Sequence, residues 1–316
     1  MSSQRFGLIG AGGIGEVRAR ALRRLTNYRL AAVADVDAAR ARAVAPPGAA
    51  VYDDYRRLLD GGEVDAVIVS TPPGSHEEIV CAALGAGKHV LCEKPLAGTV
   101  EACRRMVETA RRAGRALATG FNHRYFPAIQ FVKQALASGR IGELDHVRAF
   151  AGHAGLSEFK APWMYDKDVM GGGALMDNGI HLIDLTRYLL GEVDEVCGVA
   201  TGNVWKLDRV EDNGFAILRS PEGKHATLQA SWTEWKGYRF YVEAYGDRGM
   251  ARAYYAPMMS MAVYLDRPGG VRRRAFNFYP RSIVREKVHG WQSTVELAFA
   301  EEYRDFVSLC AGHAGE

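Results

Sequence analysis

A doubly wound parallel α/β domain, followed by an α+β domain with a large, mostly antiparallel, open-faced sheet, is the architecture this 316-residue sequence predicts. Three observations carry that expectation. Short apolar segments alternate with helical ones across residues 1–121, the pattern of a parallel sheet with crossover helices. A glycine-rich turn, Gly10-Ala11-Gly12-Gly13-Ile14-Gly15, joins the first such pair. Beyond residue 121, extended segments rich in aromatic and β-branched residues replace the alternation.

The elements follow in order. Residues 6–9 form an apolar run, and a helix is predicted over 14–25 after the glycine turn. A strand over 30–34 leads to an Ala- and Arg-rich helix over 37–44, which Pro46-Pro47-Gly48 ends because proline cannot continue a helix. Val51 opens a short extended piece, and Asp53 or Asp54 caps a helix reaching Leu59. Within the strand predicted over 65–70, the apolar residues 66–69 are continuous rather than alternating, as in a strand buried on both faces. A helix over 75–86, a strand over 89–92, a helix over 99–113 and a strand over 116–119 complete the domain, assigned to 1–121. In the second domain, 122–316, a helix over 127–138 precedes strands over 146–152, 195–205, 214–219, 226–233, 238–245 and 262–265.

Composition narrows the class. A hydrophobic fraction of 48% and a charged fraction of 24% place the chain among globular proteins. The net charge is only +3, and clusters such as Arg272-Arg273-Arg274 build no basic face across a domain, so nucleic acid is not an expected partner. No stretch is long and apolar enough to span a membrane. The start shows no apolar leader, and the five cysteines form no C-x-x-C pair, so a cytoplasmic setting without disulfides or structural zinc is expected.

The glycine turn follows a strand and opens a helix, and Asp35 stands at the end of the second strand, twenty residues after Gly15. This is the context of a Rossmann dinucleotide site. Gly10 permits the tight turn, Gly12 lets backbone approach a pyrophosphate, and Gly15 allows close helix–strand packing. Gly13 and Ile14 open the helix, whose N-terminus presents N–H groups to phosphate. Asp35 would accept hydrogen bonds from ribose hydroxyls and repel a 2′-phosphate, which favours NAD over NADP, although Arg40 lies close enough in sequence to leave NADP open. The loop carrying Thr71, Pro72 and His76 follows the next apolar strand and is expected to line the cofactor crevice.

Further motifs make the likeness specific: Glu93-Lys94-Pro95, Gly120-Phe121-Asn122-His123-Arg124, and Gly171-Gly172-Gly173-Ala174-Leu175-Met176-Asp177-Asn178-Gly179-Ile180-His181. With the glycine turn and the Thr71–His76 loop, they resemble the Gfo/Idh/MocA oxidoreductases, in order along nearly the whole chain. The resemblance implies a hydride transfer between nicotinamide and a sugar, inositol-like polyol or sugar derivative. It also implies a homodimer or homotetramer through the second domain's sheet.

Lys94 lies just past the carboxyl end of a parallel strand, where an ammonium can polarise a reacting substrate oxygen. Asp177 and His181, four residues apart, share a helix face that Asp184 and Tyr188 continue. Periodicity alone slightly favours solvent for that polar stripe, whereas the three preceding glycines favour a cleft, because bare backbone admits a ligand or another segment. In the role the family implies, His181 removes the hydroxyl proton and Asp177 orients the ring or binds a substrate hydroxyl. Glu93 and Asn122 are assigned to the cofactor, and Asn122, Arg124 and Trp163 to the substrate; no metal is required.

Two departures stand out. Relatives often carry Trp-Arg ahead of the triple glycine, but Met164 follows Trp163 here. The chain also ends soon after a helix over 295–310, where relatives continue into a further helix returning to the first domain. Two other functions stay open: an NAD-dependent glycoside hydrolase of the same family, and a non-catalytic NAD-binding sensor, against which the retention of Lys94, Asp177 and His181 speaks.

Overall fold

The computed structural model describes residues 4–157 and 161–312. Among them the strands form a six-stranded and an eight-stranded sheet. The chain divides into two compact units, the first drawn from the described residues of Met1–Asn122, Asp168–Met170 and Trp291–Glu316, the second from His123–Lys167 and Gly171–Gly290.

The first unit alternates β1 (Gln4–Ile9), α1 (Gly13–Leu22), β2 (Tyr28–Ala34), α2 (Ala38–Val44), β3 (Ala50–Tyr52), α3 (Tyr55–Asp60), β4 (Ala66–Val69), α4 (His76–Gly85), β5 (His89–Glu93), α5 (Val100–Ala113) and β6 (Leu117–Gly120). The strands are all parallel, in the order β3-β2-β1-β4-β5-β6. Local chemistry sets the helix ends. Asp37 caps α2 and Asp54 caps α3. Thr99 caps α5, which Gly114 ends in the left-handed conformation. Both faces of the sheet are covered, which is why β4 is apolar throughout.

One covering element comes from the far end of the sequence. The helix Gln292–Cys310 (α10 below) buries Phe299, Tyr303 and Phe306 in the same core as Phe6, Leu8 and Leu22. A continuous domain over 122–316 was expected, but this helix groups with the first unit. Its apolar stripe is removed from water by the β1–α1 face.

The second unit contains α6 (Pro127–Ala137), β7 (Leu144–Gly152), a single π-helical turn (Leu175–Gly179) and α8 (Ile180–Leu190), while the short helix α7 (Lys167–Met170) groups with the first unit from Asp168 on. There follow β8 (Glu195–Thr201), β9 (Asn213–Arg219), β10 (His225–Ser231), β11 (Arg239–Gly246), β12 (Gly249–Tyr255), β13 (Met259–Leu265), β14 (Arg272–Phe278) and α9 (Pro280–His289), before α10. The sheet order is β14-β13-β12-β11-β7-β10-β9-β8, antiparallel except where β7 meets β10. Helices α6 and α8 lie on one face. On the other, paired register sets Tyr241 beside Phe150 and Tyr245 beside His146. Sequence patterning passes over β12 and β14, because Gly249–Tyr255 relies on Ala and Met and Arg272–Phe278 begins with three arginines.

No helix among the described residues is long and apolar enough to cross a membrane.

Candidate active site

In the first unit the glycine turn is shaped as its spacing demands. Gly10 has φ +94°, and a Cβ there would lie 2.7 Å from the Ser70 carbonyl carbon. A Cβ on Gly15 would lie 2.0 Å from the Gly10 oxygen, so the helix rests directly on the strand. Gly12 and Gly13 differ: a Cβ on either would meet nothing within 4 Å. Their bare backbone borders open space, and no side chain caps the N-terminus of α1 at Gly12. Ile14 is partly exposed beside them. This arrangement fits a dinucleotide pyrophosphate, which needs close backbone and N–H groups at a helix start.

Asp35 bridges this turn to the next helix. Its Oδ2 accepts from Ala11 N–H at 2.6 Å and its Oδ1 from Asp37 N–H at 2.8 Å. Arg40 pairs with Asp37 at 3.2 Å, so the nearby cation already has an anionic partner.

The Thr71–His76 loop is held from within. Ser75 Oγ donates to the Pro72 oxygen at 2.9 Å and lies 2.8 Å from Thr71 Oγ1, whose hydroxyl can donate to it. His76 is fully buried, with Nε2 2.8 Å from the Thr71 oxygen and Nδ1 3.0 Å from the Pro95 oxygen. Its ring lies between the loops after β4 and β5, with one nitrogen beside a carbonyl of each. Glu93, at the end of β5, receives Arg18 of α1 on Oε1 at 2.7 Å and the N–H of Lys94 on Oε2 at 3.3 Å. The Lys94–Pro95 bond is cis. Asn122 is buried at the end of the unit's main segment.

In the second unit, the segment preceding α8 is built around another carboxylate. Glu211 accepts from Gly173 N–H at 2.8 Å and Leu175 N–H at 2.9 Å. A Cβ on Gly173 would stand 2.1 Å from the Glu211 carbonyl oxygen. Gly173 therefore admits the neighbouring 210–211 segment, while a Cβ on Gly172 would meet the Met176 side chain at 2.7 Å.

The polar stripe is buried, not solvated: Asp177, Asn178, His181 and Asp184 are each less than a tenth exposed. Asp177 lies in the π-helical turn. His153 Nδ1 accepts from Gly155 N–H at 2.9 Å, which leaves the hydrogen of a neutral ring on Nε2, 2.9 Å from Asp177 Oδ2. Trp232 Nε1 donates to the same oxygen at 3.1 Å. His181 lies against His123, with ring centroids 3.8 Å apart. Arg124 turns its fork to Asp184, at 2.9 and 2.6 Å. Burial pushes the Asp184 carboxyl up, and the Arg124 pair offsets only part of that. Trp163, in the 3-10 turn Pro162–Tyr165, is partly exposed.

Residues 4–121 fit the model of an oxidoreductase family with an NAD-binding Rossmann fold, and residues 129–252 fit the Gfo/Idh/MocA C-terminal domain. The chain belongs to the Gfo/Idh/MocA oxidoreductase family. Inositol 2-dehydrogenase 2 of Saccharopolyspora erythraea is 36% identical over 77% of the chain and 71% of its own length. Inositol 2-dehydrogenase of Rhizobium meliloti is 34% identical over 79% and 75%. An NAD-binding oxidoreductase from Klebsiella pneumoniae aligns over 100% of the chain and 91% of its own, with a TM-score of 0.83 and 26% identity. The protein is accordingly an NAD-dependent oxidoreductase of this family.

Several residues at these positions escape sequence reasoning. His153, Trp232 and Glu211 come from a strand end and loops with no motif of their own. Arg18 and Glu302, 284 residues apart, share no local pattern.

Proposed function

We propose that the protein oxidises a secondary hydroxyl of an inositol-like polyol, sugar or sugar derivative. NAD supplies the hydride acceptor when bound, held by Gly10, Gly12, Gly13, Ile14 and Gly15 and selected by Asp35. His181 takes the hydroxyl proton, Lys94 holds the substrate oxygen as its charge changes, and Asp177 orients the substrate or the His181 ring. Thr71 and Pro72 line the cofactor crevice, while Asn122 completes the pocket. Glu93 and His76 support the loop of Lys94, and Arg124 supports α8 through Asp184. Trp163 contacts substrate.

The observation that carries this reading is the double donation to Asp177 Oδ2 by His153 and Trp232. Two N–H groups on one buried oxygen fix a carboxylate's orientation, which a purely structural helix has no reason to require. The inositol dehydrogenase relatives supply the substrate class. The helix-free face of the eight-stranded sheet, with Phe215, Ile217, Phe276 and Phe278 exposed, suits a homodimer or homotetramer. Five free thiols suit the cytoplasm.

Incubation with NAD and a panel of inositols, sugars and anhydrosugars tests the reading. Stoichiometric NADH with one class of polyol is the expected result. Release of sugar from a glycoside without net NADH would replace it with hydrolysis, and ligand-dependent stabilisation without turnover would replace it with sensing.

A further inference from the structure

The core of the first unit contains a charge cluster that cofactor binding does not itself call for. Arg18 of α1 is entirely buried. Its guanidinium lies 2.6 Å from Glu93 Oε1, pairs with Glu302 of α10 and stacks 3.6 Å over the Phe299 ring. Burial opposes the charge on Arg18, but Glu302 and Glu93 together override it and hold the group protonated well above its ordinary range. Tyr303 donates to the Arg18 carbonyl oxygen at 3.0 Å. Gly120 of β6 leaves the space: a Cβ there would come 2.5 Å from Arg18 Nη2.

For stability alone, such a group is a poor choice. A buried ion cluster pays heavily in desolvation, and apolar residues of similar volume often serve as well. What an arginine adds is direction, since its fork holds two carboxylates at set angles. One of those carboxylates immediately precedes Lys94, and its second oxygen takes the Lys94 N–H. On the other side of Lys94, the Pro95 carbonyl is held by His76.

We propose that Arg18, acting through Glu93, is a positioning residue for Lys94, and that α10 completes this support through Glu302. The inference rests on the reading of Lys94 as the residue that meets the substrate oxygen. The C-terminal helix is then part of the reactive architecture and not only a cover for the sheet. Without Arg18, the Glu93 carboxylate is released beside Lys94 and draws its ammonium out of place.

The test uses Arg18→Met and Arg18→Lys in the full chain, with two readouts. The first needs no substrate: the acetylation rate of Lys94 at fixed pH, read by peptide mass spectrometry against Lys88 at the opposite end of β5. Arg18→Met should slow Lys94 at least about threefold relative to Lys88, as an ammonium paired to a carboxylate loses nucleophilicity. Adding Glu93→Gln should restore the rate. The second readout is kcat, expected to fall ~10- to 100-fold with KM for NAD changed less than about twofold, the pattern of a misplaced group. Arg18→Lys, which keeps the charge but cannot span two carboxylates, should show smaller changes in the same direction. It also serves if Arg18→Met does not fold. Unchanged Lys94 acetylation in a folded Arg18 variant overturns the proposal, as does slowing that Glu93→Gln fails to reverse. Absence of dehydrogenase turnover in the wild type would instead overturn the catalytic reading, leaving the acetylation result to decide the positioning.

Discussion

The two units present their proposed functional groups by different physical means. In the first, they sit at the ends of parallel strands: the turn after β1, Asp35 after β2, the Thr71 loop after β4 and Lys94 after β5. Backbone forms much of that surface, and a buried Arg18–Glu93–Glu302 cluster lies in the core of the same unit. In the second, the groups are side chains on one π-helical turn and one helix, aimed by neighbours from strand ends and loops. The backbone-built half carries a motif, whereas the side-chain half depends on partners that leave no mark nearby.

The largest effects should come from the groups assigned to proton and charge transfer. Lys94→Ala and His181→Ala are each expected to lower kcat at least ~100-fold in the dehydrogenase assay. Near-normal turnover in both would remove the proposed chemistry from both units at once.

Next comes cofactor choice, a property of the backbone-built half. Asp35→Ala should reduce the preference for NAD over NADP by about tenfold or more, through loss of ribose hydrogen bonds and of repulsion toward a 2′-phosphate. Paired kcat/KM values with the two cofactors check this; an unchanged ratio means that another residue selects.

The side-chain half is probed by Trp232→Phe, which keeps a large ring but removes the donor to Asp177. We expect kcat to drop about tenfold, the scale of one hydrogen bond to a charged group. If turnover stays at the wild-type level, Asp177 does not depend on that donor for its orientation.

The smallest effect concerns how α10 is clamped to α1. Burial would raise the Glu296 carboxyl, but Arg20 and Arg24 override it and leave it below its ordinary value of 4.5. A lowered carboxylate contributes stability above its unfolded value and loses it as pH falls through the folded one. Glu296→Gln should therefore cost about 1 kcal/mol at neutral pH. The difference should shrink as the pH drops below 4.5. Thermal melts of both proteins across that range measure it, and a pH-independent difference would rule out the ionic clamp.

Legibility followed the same division. Asp37, Asp54 and Thr99 each cap a helix within three residues of themselves, and Gly114 stops α5, so those boundaries follow from local chemistry. The Asp177–His181 segment was readable as a motif, but its helix phase was not, because the π-helical turn alters the expected four-residue repeat. The triple glycine pointed to a close approach without naming the partner, which is Glu211. Strands β12 and β14 were passed over because Ala and Arg carry no strand preference of their own.

By itself, then, the sequence determined the alternating first unit, its glycine turn, the acidic residue that follows β2 and the family to which the chain belongs. Caps, turns and apolar runs act over a few residues and write themselves directly into the chain. The tertiary structure alone decided that α10 joins the first unit, that Arg18 meets Glu302 across 284 residues, and that His153 and Trp232 converge on Asp177. Those contacts depend on which buried charge or donor finds a partner once the sheets have formed. No periodicity in the sequence encodes that choice.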